Sequence, residues 1–172
     1  PEGIQQLQQH YPVWMSDIVT LEDAYSMIKE IGRITNRSNE AGMMCDEILR
    51  RFNSLQPLRK AYRAAYFIWR HPYMVASRET FIHEMLMKLG VENVFGHLSR
   101  YPEIELEKIA EQKPDLIFLS SEPYPFGEKH FEEFASRIPN AKIMIVDGQY
   151  FSWYGSRLLQ APEYLEGLKN QF

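Results

Sequence analysis

The sequence predicts an α/β domain in which a mainly parallel sheet is flanked by helices, with a long connecting helix before it. Two observations carry this prediction. Apolar runs of strand length alternate with amphipathic runs of helix length, an order typical of parallel sheets. The run Leu116–Leu119 is also apolar at every position, as expected for a strand that helices cover on both faces.

The first 35 residues contain one predicted strand and one predicted helix. Pro12–Ile18 has the pattern of a short strand followed by a turn. Thr20 and Asp23 have the spacing of a capping box, in which each side chain bonds to the backbone N–H of the other residue. A helix is therefore expected to begin at Thr20, and Gly32 with the polar residues after it marks the expected end.

A second helix is predicted between Ser38 and Pro57. Serine is a residue type that caps helix N-termini, and proline cannot continue a helix. An apolar stripe at helical spacing runs along this segment and includes Cys45. Because Cys45 lies in that stripe, we interpret it as a small buried hydrophobic residue rather than as a reactive thiol.

From residue 60 onward, predicted strands and helices alternate. Strands are expected at 61–69, 114–120 and 141–147, and helices at 81–89, 105–112, 131–138 and from about Leu158. Gly90 follows an amphipathic helix at the position where glycine commonly ends one.

Size, charge and composition exclude several classes of protein. The 172 residues include 45% hydrophobic and 24% charged residues, which is typical of a globular domain. A net charge of -4 argues against a nucleic-acid-binding protein, which usually has a basic face. One cysteine and five histidines without paired spacing predict neither a disulfide nor a metal site. No apolar run has membrane-spanning length, and because the chain begins with Pro1 we interpret it as a piece of a longer protein.

Ligands of open α/β sheets bind beyond the carboxyl ends of the strands, so the segments near those ends form the candidate site. Four segments that can converge there contain aromatic residues, which offer a large, flat contact area with few rotamers to immobilise. The candidate ligand-binding residues are Trp69, Tyr73, Tyr101, Tyr124, Tyr150, Phe151, Trp153 and Arg157. A shared binding rim and local packing explain these aromatic residues equally well.

Four residues near the strand ends need separate comment. Arg157 can hold a carboxylate or amide of a ligand, or it can form a local salt bridge. Tyr154 is expected to pack inward. Asp147 and Glu122 are the one pair of carboxylates that could act as acid and base if the domain were an enzyme. The sequence has neither a Gly-rich phosphate loop nor a nucleophile elbow.

The chain resembles the substrate-binding proteins of ABC importers for iron–siderophores, haem and cobalamin. Four stretches carry the resemblance, namely "PVWMSDIVTLEDAYSMIKEIG", "SNEAGMMCDEILRRF", "SRETFIHEMLMKLGVENVF" and "YPEIELEKIAEQKPDLIFLSS". These proteins consist of two α/β lobes joined by one rigid helix, and they bind their ligand between the lobes. The resemblance implies that 1–35 is a remnant of the N-terminal lobe, that 36–57 is the inter-lobe backbone helix and that 58–172 is the C-terminal lobe. The first lobe would then be largely missing.

The resemblance also implies roles for individual residues. Tyr101 stands at the position of the aromatic residue that faces a corrinoid in the vitamin B12-binding member. Trp69 and Trp153 lie in loops that correspond to ligand-facing loops of the second lobe. Glu107 falls on the glutamate that docks on arginines of the transporter, a contact that provides steering and register.

The function implied by the resemblance is that of a substrate-binding component of an ABC importer, and not of an enzyme. Such a protein binds a metal chelate or macrocycle, which would be a ferric siderophore, haem or cobalamin, and delivers it to a permease. We expect no intrinsic cofactor and no nucleic-acid partner, and a location in the periplasm or, as a lipoprotein, at the cell surface. Two alternatives are a protein-interaction module and an enzyme lobe that acts on a sugar or a nucleotide.

Overall fold

The computed structural model describes residues 2–172, whose central feature is a five-stranded mixed sheet flanked by helices. The strands are β1 (Tyr62–Trp69), β2 (Met74–Val75), β3 (Val91–Asn93), β4 (Leu116–Ser120) and β5 (Lys142–Val146). The helices are α1 (Glu2–Gln8), α2 (Leu21–Ile34), α3 (Ser38–Asn53), α4 (Phe81–Leu89), α5 (Leu106–Glu111), α6 (Phe131–Ala135), α7 (Gln149–Ser152) and α8 (Ala161–Lys169). Within this part of the chain, none of the helices combines the length and the apolar character that crossing a membrane requires. The α/β class predicted from the sequence is confirmed.

β1 lies in the middle of the sheet and pairs with three other strands. It runs parallel to β4, with Ala64 opposite Leu116, and β4 runs parallel to β5. On its other side, the first residues of β1 pair in parallel with β3, and its last residues pair antiparallel with β2. The carboxyl ends of β1, β4 and β5 therefore meet at one edge of the sheet, and the loops that follow them start there.

Both faces of the sheet are buried. One cluster of buried side chains includes Tyr66 and Phe118 and joins one face of the sheet to α2, α3, α4 and α8. The other cluster includes Phe67 and Ile117 and joins the opposite face to α5 and α6. Adjacent residues enter different clusters because successive side chains of a strand point to opposite faces. Every residue of β4 is buried, which explains why its sequence is apolar without alternation.

Two helix boundaries form as the sequence predicts. At the start of α2, the backbone N–H of Asp23 donates to Oγ1 of Thr20 at 3.1 Å, and the backbone N–H of Thr20 donates to Oδ2 of Asp23 at 2.8 Å. At the end of α4, Gly90 has a φ of 87°, in the left-handed region that glycine adopts most easily. Cys45 is buried in the stripe of α3, as expected for a small hydrophobic residue.

Two local predictions are wrong. Pro12–Ile18 is irregular, because no strand among residues 2–172 pairs with it. The predicted end of α2 is confirmed, since the helix ends at Ile34, directly before the polar run; Gly32 lets two helices approach, because a Cβ at this position would collide with the Cβ of Ala41 in α3. Ser38 is the first residue of α3 rather than its cap. The division into lobe remnant, backbone helix and C-terminal lobe stays a prediction.

Candidate ligand-binding site

The loops after β1, β4 and β5 contact one another at the carboxyl edge of the sheet. The ring of Trp69 meets the ring of Tyr124 edge-on, with the ring centroids 5.7 Å apart. The loop after β4 is joined to the loop after β5 because Nε1 of Trp153 donates a 2.7 Å hydrogen bond to Oε1 of Glu122. Three of the four aromatic segments therefore form one continuous surface.

The fourth aromatic segment, residues 99–104, runs beside the end of β2. The backbone N–H of Val75 donates to the carbonyl oxygen of Pro102 at 3.2 Å, which fixes this segment against the sheet. Tyr101 lies in the segment, and the pKa of its phenol is raised by burial and, to a lesser extent, by the neighbouring Tyr154. The segment thus lies near Tyr154 in the loop after β5.

Four aromatic rings are exposed on this surface, and we call Trp69, Tyr101, Trp153 and Tyr154 the aromatic rim. The exposed fractions of Trp153, Trp69 and Tyr101 are 50%, 40% and 39%. Tyr154 was expected to pack inward, but it is 36% exposed while the edge of its ring contacts Phe81. The rim offers flat apolar area to a ligand because these faces are not covered by the protein itself.

Two predicted ligand contacts pack against the core, Phe151 completely and Tyr73 in part. Phe151 is completely buried and packs against Tyr66 with the ring centroids 5.0 Å apart. The reason is that its segment forms the short helix α7, and one side of that helix faces the core. Tyr73 is half-buried and packs edge-on against Phe134 at a centroid distance of 5.7 Å.

Two other predicted residues, Tyr124 and Tyr150, are half-buried beside the rim. Tyr124 is half-buried between Trp69 and His130, and its hydroxyl oxygen lies 3.3 Å from Nε2 of that histidine. Tyr150 is half-buried and stacks on Tyr164, with the ring centroids 4.2 Å apart and the planes 14° from parallel. Both phenol rings are therefore fixed by packing against neighbouring rings.

Arg157 binds neutral groups, so its charge is not compensated by these partners. Nη1 donates to Oε1 of Gln160 at 3.1 Å, and Nη2 donates to Oε1 of Gln149. The guanidinium carbon lies 4.9 Å from the ring centroid of Tyr150 and 5.8 Å from that of Trp153, within the range of cation–π contacts. A depression of about 410 Å³ opens beside it, lined by Trp153, Gly155, Ser156, Arg157, Leu159 and Gln160.

The two carboxylates considered as an acid–base pair both order the loop after β5. Oδ1 of Asp147 accepts a 3.0 Å hydrogen bond from the backbone N–H of Gln149. Oε1 of Glu122 accepts from Trp153 and, at 3.2 Å, from the hydroxyl of Ser152. The role of Glu122 in fixing Trp153 was missed in the sequence, where its position directly after a buried strand was the only signal.

Metal-binding side chains do not cluster in the described part of the chain. Residues 2–172 contain no group of three or more His, Cys, Asp or Glu side chains that could hold a metal ion. His130, behind the ring of Tyr124, is buried, and its Nδ1 accepts a 3.0 Å hydrogen bond from the backbone N–H of Gly127. The rim itself supplies flat contact area and hydrogen-bonding groups.

Glu107 lies in the first turn of α5 and projects to the surface. Its Oε1 is 3.3 Å from Nη1 of Arg137, and each side chain of the pair is 61% exposed. An ion pair so exposed contributes little to stability, because water and salt screen both charges. Glu107 can therefore exchange this partner for another cation at small cost.

Comparisons with known proteins give one family and one fold. A family model described as periplasmic binding protein matches residues 2–142. A search of curated proteins found no match. Among solved structures, a possible iron-binding (periplasmic solute-binding) protein from Staphylococcus epidermidis is 22% identical with a TM-score of 0.77, and the match covers 98% of this chain and 69% of that chain.

Two more solved structures have the same fold. A periplasmic haem-binding protein from Roseiflexus in its apo form is 14% identical with a TM-score of 0.80, and the match covers 99% of this chain and 70% of that chain. A periplasmic vitamin B12-binding protein from Vibrio cholerae is 17% identical with a TM-score of 0.68, and the match covers 99% of this chain and 71% of that chain. At these identities, the likeness establishes the architecture and leaves the ligand open.

Proposed function

This chain belongs to the periplasmic binding protein family, and we propose that it is the substrate-binding component of an ABC importer for a metal chelate or macrocycle. The ligand would be a ferric siderophore, haem or cobalamin, which the protein would deliver to a permease from the periplasm or, as a lipoprotein, from the cell surface. The observation that carries this proposal is the aromatic rim, with four exposed rings at the carboxyl edge of the sheet. The similar solved structures are of binding proteins rather than enzymes.

The shape and chemistry of the rim support this class of ligand. Exposed indole and phenol rings bury apolar area against a large, flat or bulky ligand, and each Å² so buried is worth roughly 25 cal/mol. Two of the structures similar to this chain are described as binding haem and vitamin B12, which both contain a broad macrocycle. Trp153 and Tyr101 present faces of the kind that such a ring can cover.

The rigidity of the rim supports tight binding. Trp153 is held at its N–H edge by Glu122, and the guanidinium of Arg157 lies over its ring. Immobilising a free side chain on binding costs about 0.5–1.5 kcal/mol, and this cost is largely avoided for a ring that is already fixed. Arg157 also keeps its charge available for an acidic or carbonyl group of the ligand.

Glu107 is the proposed contact with the permease. It is exposed and pairs with an exposed arginine, so a cation of the permease can replace Arg137 without desolvating a buried group. Contacts of this kind steer two proteins together and set their register more than they add affinity.

A ligand titration of the full-length protein tests the proposal. Haemin, cyanocobalamin and a panel of ferric siderophores are titrated while tryptophan fluorescence is followed, since two of the three tryptophans lie in the rim. We expect saturable quenching by at least one ligand, and an affinity about tenfold weaker for Trp153→Ala, because a large buried contact is lost. Leu49→Ala, which removes an exposed apolar side chain from α3, is the matched control and should bind like the wild type.

Two outcomes would contradict the proposal. If no ligand of the three classes quenches the fluorescence, the proposed class of ligand is wrong. If the protein instead associates with itself or with another protein in a concentration-dependent way that covers Trp153, the rim is a protein-binding patch and the interaction-module alternative is favoured.

A further inference from the structure

Asp17 and Arg100 form an ion pair between two regions that are far apart in sequence. Nη1 of Arg100 donates to Oδ1 of Asp17 at 3.0 Å, and Nη2 donates to Oδ2. Two parallel hydrogen bonds of this kind fix the plane of the guanidinium as well as its distance. In the described part of the chain, this pair is the one hydrogen-bonded link between residues 9–19 and a distant segment.

The backbone of Arg100 is in an unfavourable conformation. Its φ is 58°, in the left-handed region where the Cβ of a residue other than glycine is crowded by its own backbone. Glu79, in the turn beside it, has a φ of 64°, and its carboxylate accepts a hydrogen bond from the hydroxyl of Ser99. The backbone N–H of Arg100 donates to the carbonyl oxygen of Arg78 at 2.8 Å, and the carbonyl oxygen of Arg100 accepts from the backbone N–H of Ser77 at 2.9 Å. Conformations of this kind persist only where surrounding contacts hold them, and they concentrate at ligand sites.

Tyr101 follows Arg100 directly and is one of the four residues of the rim. Its phenol lies close to the ion pair: besides burial and the neighbouring Tyr154, the charges of Arg100 and Asp17 also act on its pKa. A rotation about the backbone of Arg100 changes the direction in which the next side chain leaves the chain. The placement of Tyr101 therefore depends on the φ of the residue before it.

From these contacts we infer that Asp17 and Arg100 are positioning residues for Tyr101. Together with the backbone hydrogen bonds of Arg100 to Arg78 and Ser77, their ion pair holds Arg100 in the left-handed conformation, and this conformation presents the ring of Tyr101 to the rim. The contact of that ring with a ligand rests on the proposed function, whereas its placement does not. Both charges are exposed, so salt screens their attraction and the placement of Tyr101 is sensitive to ionic strength.

A ligand-free experiment tests the placement of Tyr101. The full-length wild type, Asp17→Asn, Arg100→Ala and Arg100→Gly are treated with tetranitromethane, and nitration of Tyr101 is quantified by peptide mass spectrometry. We expect Asp17→Asn and Arg100→Ala to change the nitration rate of Tyr101 by about twofold or more, because the left-handed conformation is then held by the backbone hydrogen bonds alone. Arg100→Gly should stay close to the wild type, since glycine adopts a positive φ without help.

The comparison of alanine with glycine at position 100 shows whether the backbone conformation of that residue controls the placement of Tyr101. Both variants lose the ion pair and the same charge, so only the backbone preference differs between them. Nitration of Tyr62, which is half-buried at the start of β1 and belongs to neither segment joined by the ion pair, is the internal control. The inference is overturned if Arg100→Ala and Arg100→Gly give the same rate, or if neither Arg100→Ala nor Asp17→Asn differs from the wild type.

A double-mutant cycle extends the test to binding, with whichever ligand the titration identifies. Asp17→Asn should weaken the affinity by about threefold in the wild type and leave it unchanged in Tyr101→Ala, because the effect passes through that ring. An equal loss in both backgrounds would overturn the inference. If the wild type binds no ligand of the panel, the proposed function fails, and the nitration rates still decide the placement.

Discussion

The indole N–H of Trp153 donates a 2.7 Å hydrogen bond to Glu122, although the two residues follow different strands of the sheet. The same carboxylate oxygen accepts from the hydroxyl of Ser152 at 3.2 Å. Gly148 makes this arrangement possible, because a Cβ at that position would lie 2.6 Å from Cγ of Glu122. The most exposed ring of the rim is thereby fixed at its N–H edge by a carboxylate of the neighbouring loop.

Replacing Glu122 tests how much its hydrogen bond to Trp153 contributes to ligand binding. Glu122→Ala removes the acceptor, and we expect the affinity for the identified ligand to fall about fivefold, since a hydrogen bond of this kind is worth about 1 kcal/mol net. Glu122→Gln keeps an acceptor oxygen and should bind within about twofold of the wild type. Isothermal titration calorimetry measures both. Wild-type affinity in Glu122→Ala would show that Trp153 does not depend on this contact.

Gly148 is a site where added volume destabilises the fold. Its φ of -59° suits any residue, so the expected cost of Gly148→Ala arises only from the collision of the new Cβ with Ser120 and Glu122. Overpacking of this kind typically costs about 1–3 kcal/mol of the free energy of unfolding, which urea denaturation measures. Gly167→Ala is the matched control: it lies in α8 with open space around it and should stabilise the fold by about 0.5–1 kcal/mol. Equal stability of the two variants would refute the steric argument.

His83 makes stability depend on pH near neutrality. Burial lowers its pKa below the ordinary 6.5, and its Nδ1 lies 3.3 Å from Nδ2 of Asn93, which can donate only to an unprotonated nitrogen. The folded state thus binds the proton less tightly than the unfolded state. Stability from this residue is fully present above about pH 6.5 and is lost as the pH falls from there toward the lower folded pKa.

Thermal melts of the wild type and His83→Gln at several pH values check this dependence. The melting temperature of the wild type should fall further than that of His83→Gln when the pH is lowered from about 7.5 to about 5. Glutamine keeps an acceptor for the amide of Asn93 and does not titrate. Identical pH profiles of the two proteins would assign the effect to other groups.

Glu107 should matter for transport and not for ligand binding. In proteoliposomes that contain the importer, we expect Glu107→Gln to reduce ligand uptake severalfold with an unchanged Kd, because the docking charge is lost. Arg137→Ala should leave uptake unchanged or raise it, since it frees Glu107 from its local partner. Glu111→Gln removes a charge from the same helix that is paired with Lys108, and it serves as the control. If Glu107→Gln and Glu111→Gln transport alike, Glu107 is not the docking residue.

The helices and buried strands were predictable because their signals are local. The capping box at Thr20 and the left-handed glycine at Gly90 each act through contacts within one turn of the chain. Pro12–Ile18 could not be assigned in the same way. A strand needs a partner to satisfy its backbone hydrogen bonds, and pairing is a property of the folded chain.

The site was predictable as a set of loops and not as a set of contacts. The sequence places the aromatic residues after the strands, but the turn of α7 decides that Phe151 is buried and Trp153 is exposed. The pairs Trp153–Glu122 and Asp17–Arg100 join residues 31 and 83 positions apart. Periodicity cannot reveal such pairs, because they depend on how the loops are brought together by the sheet.

The buried cluster shared by α2, α3 and one face of the sheet has a mechanical consequence. Helices α2 and α3 touch at Gly32 and Ala41, so one helix cannot slide past the other without a collision. Separating the two helices from the sheet would expose apolar surface to water. From Leu21 onward the chain should therefore move as one stiff block. The irregular segment 9–19 lies before this block. The salt-sensitive pair of Asp17 and Arg100 links that segment to the one that carries Tyr101, so screening of this pair by salt would loosen α1 from the block.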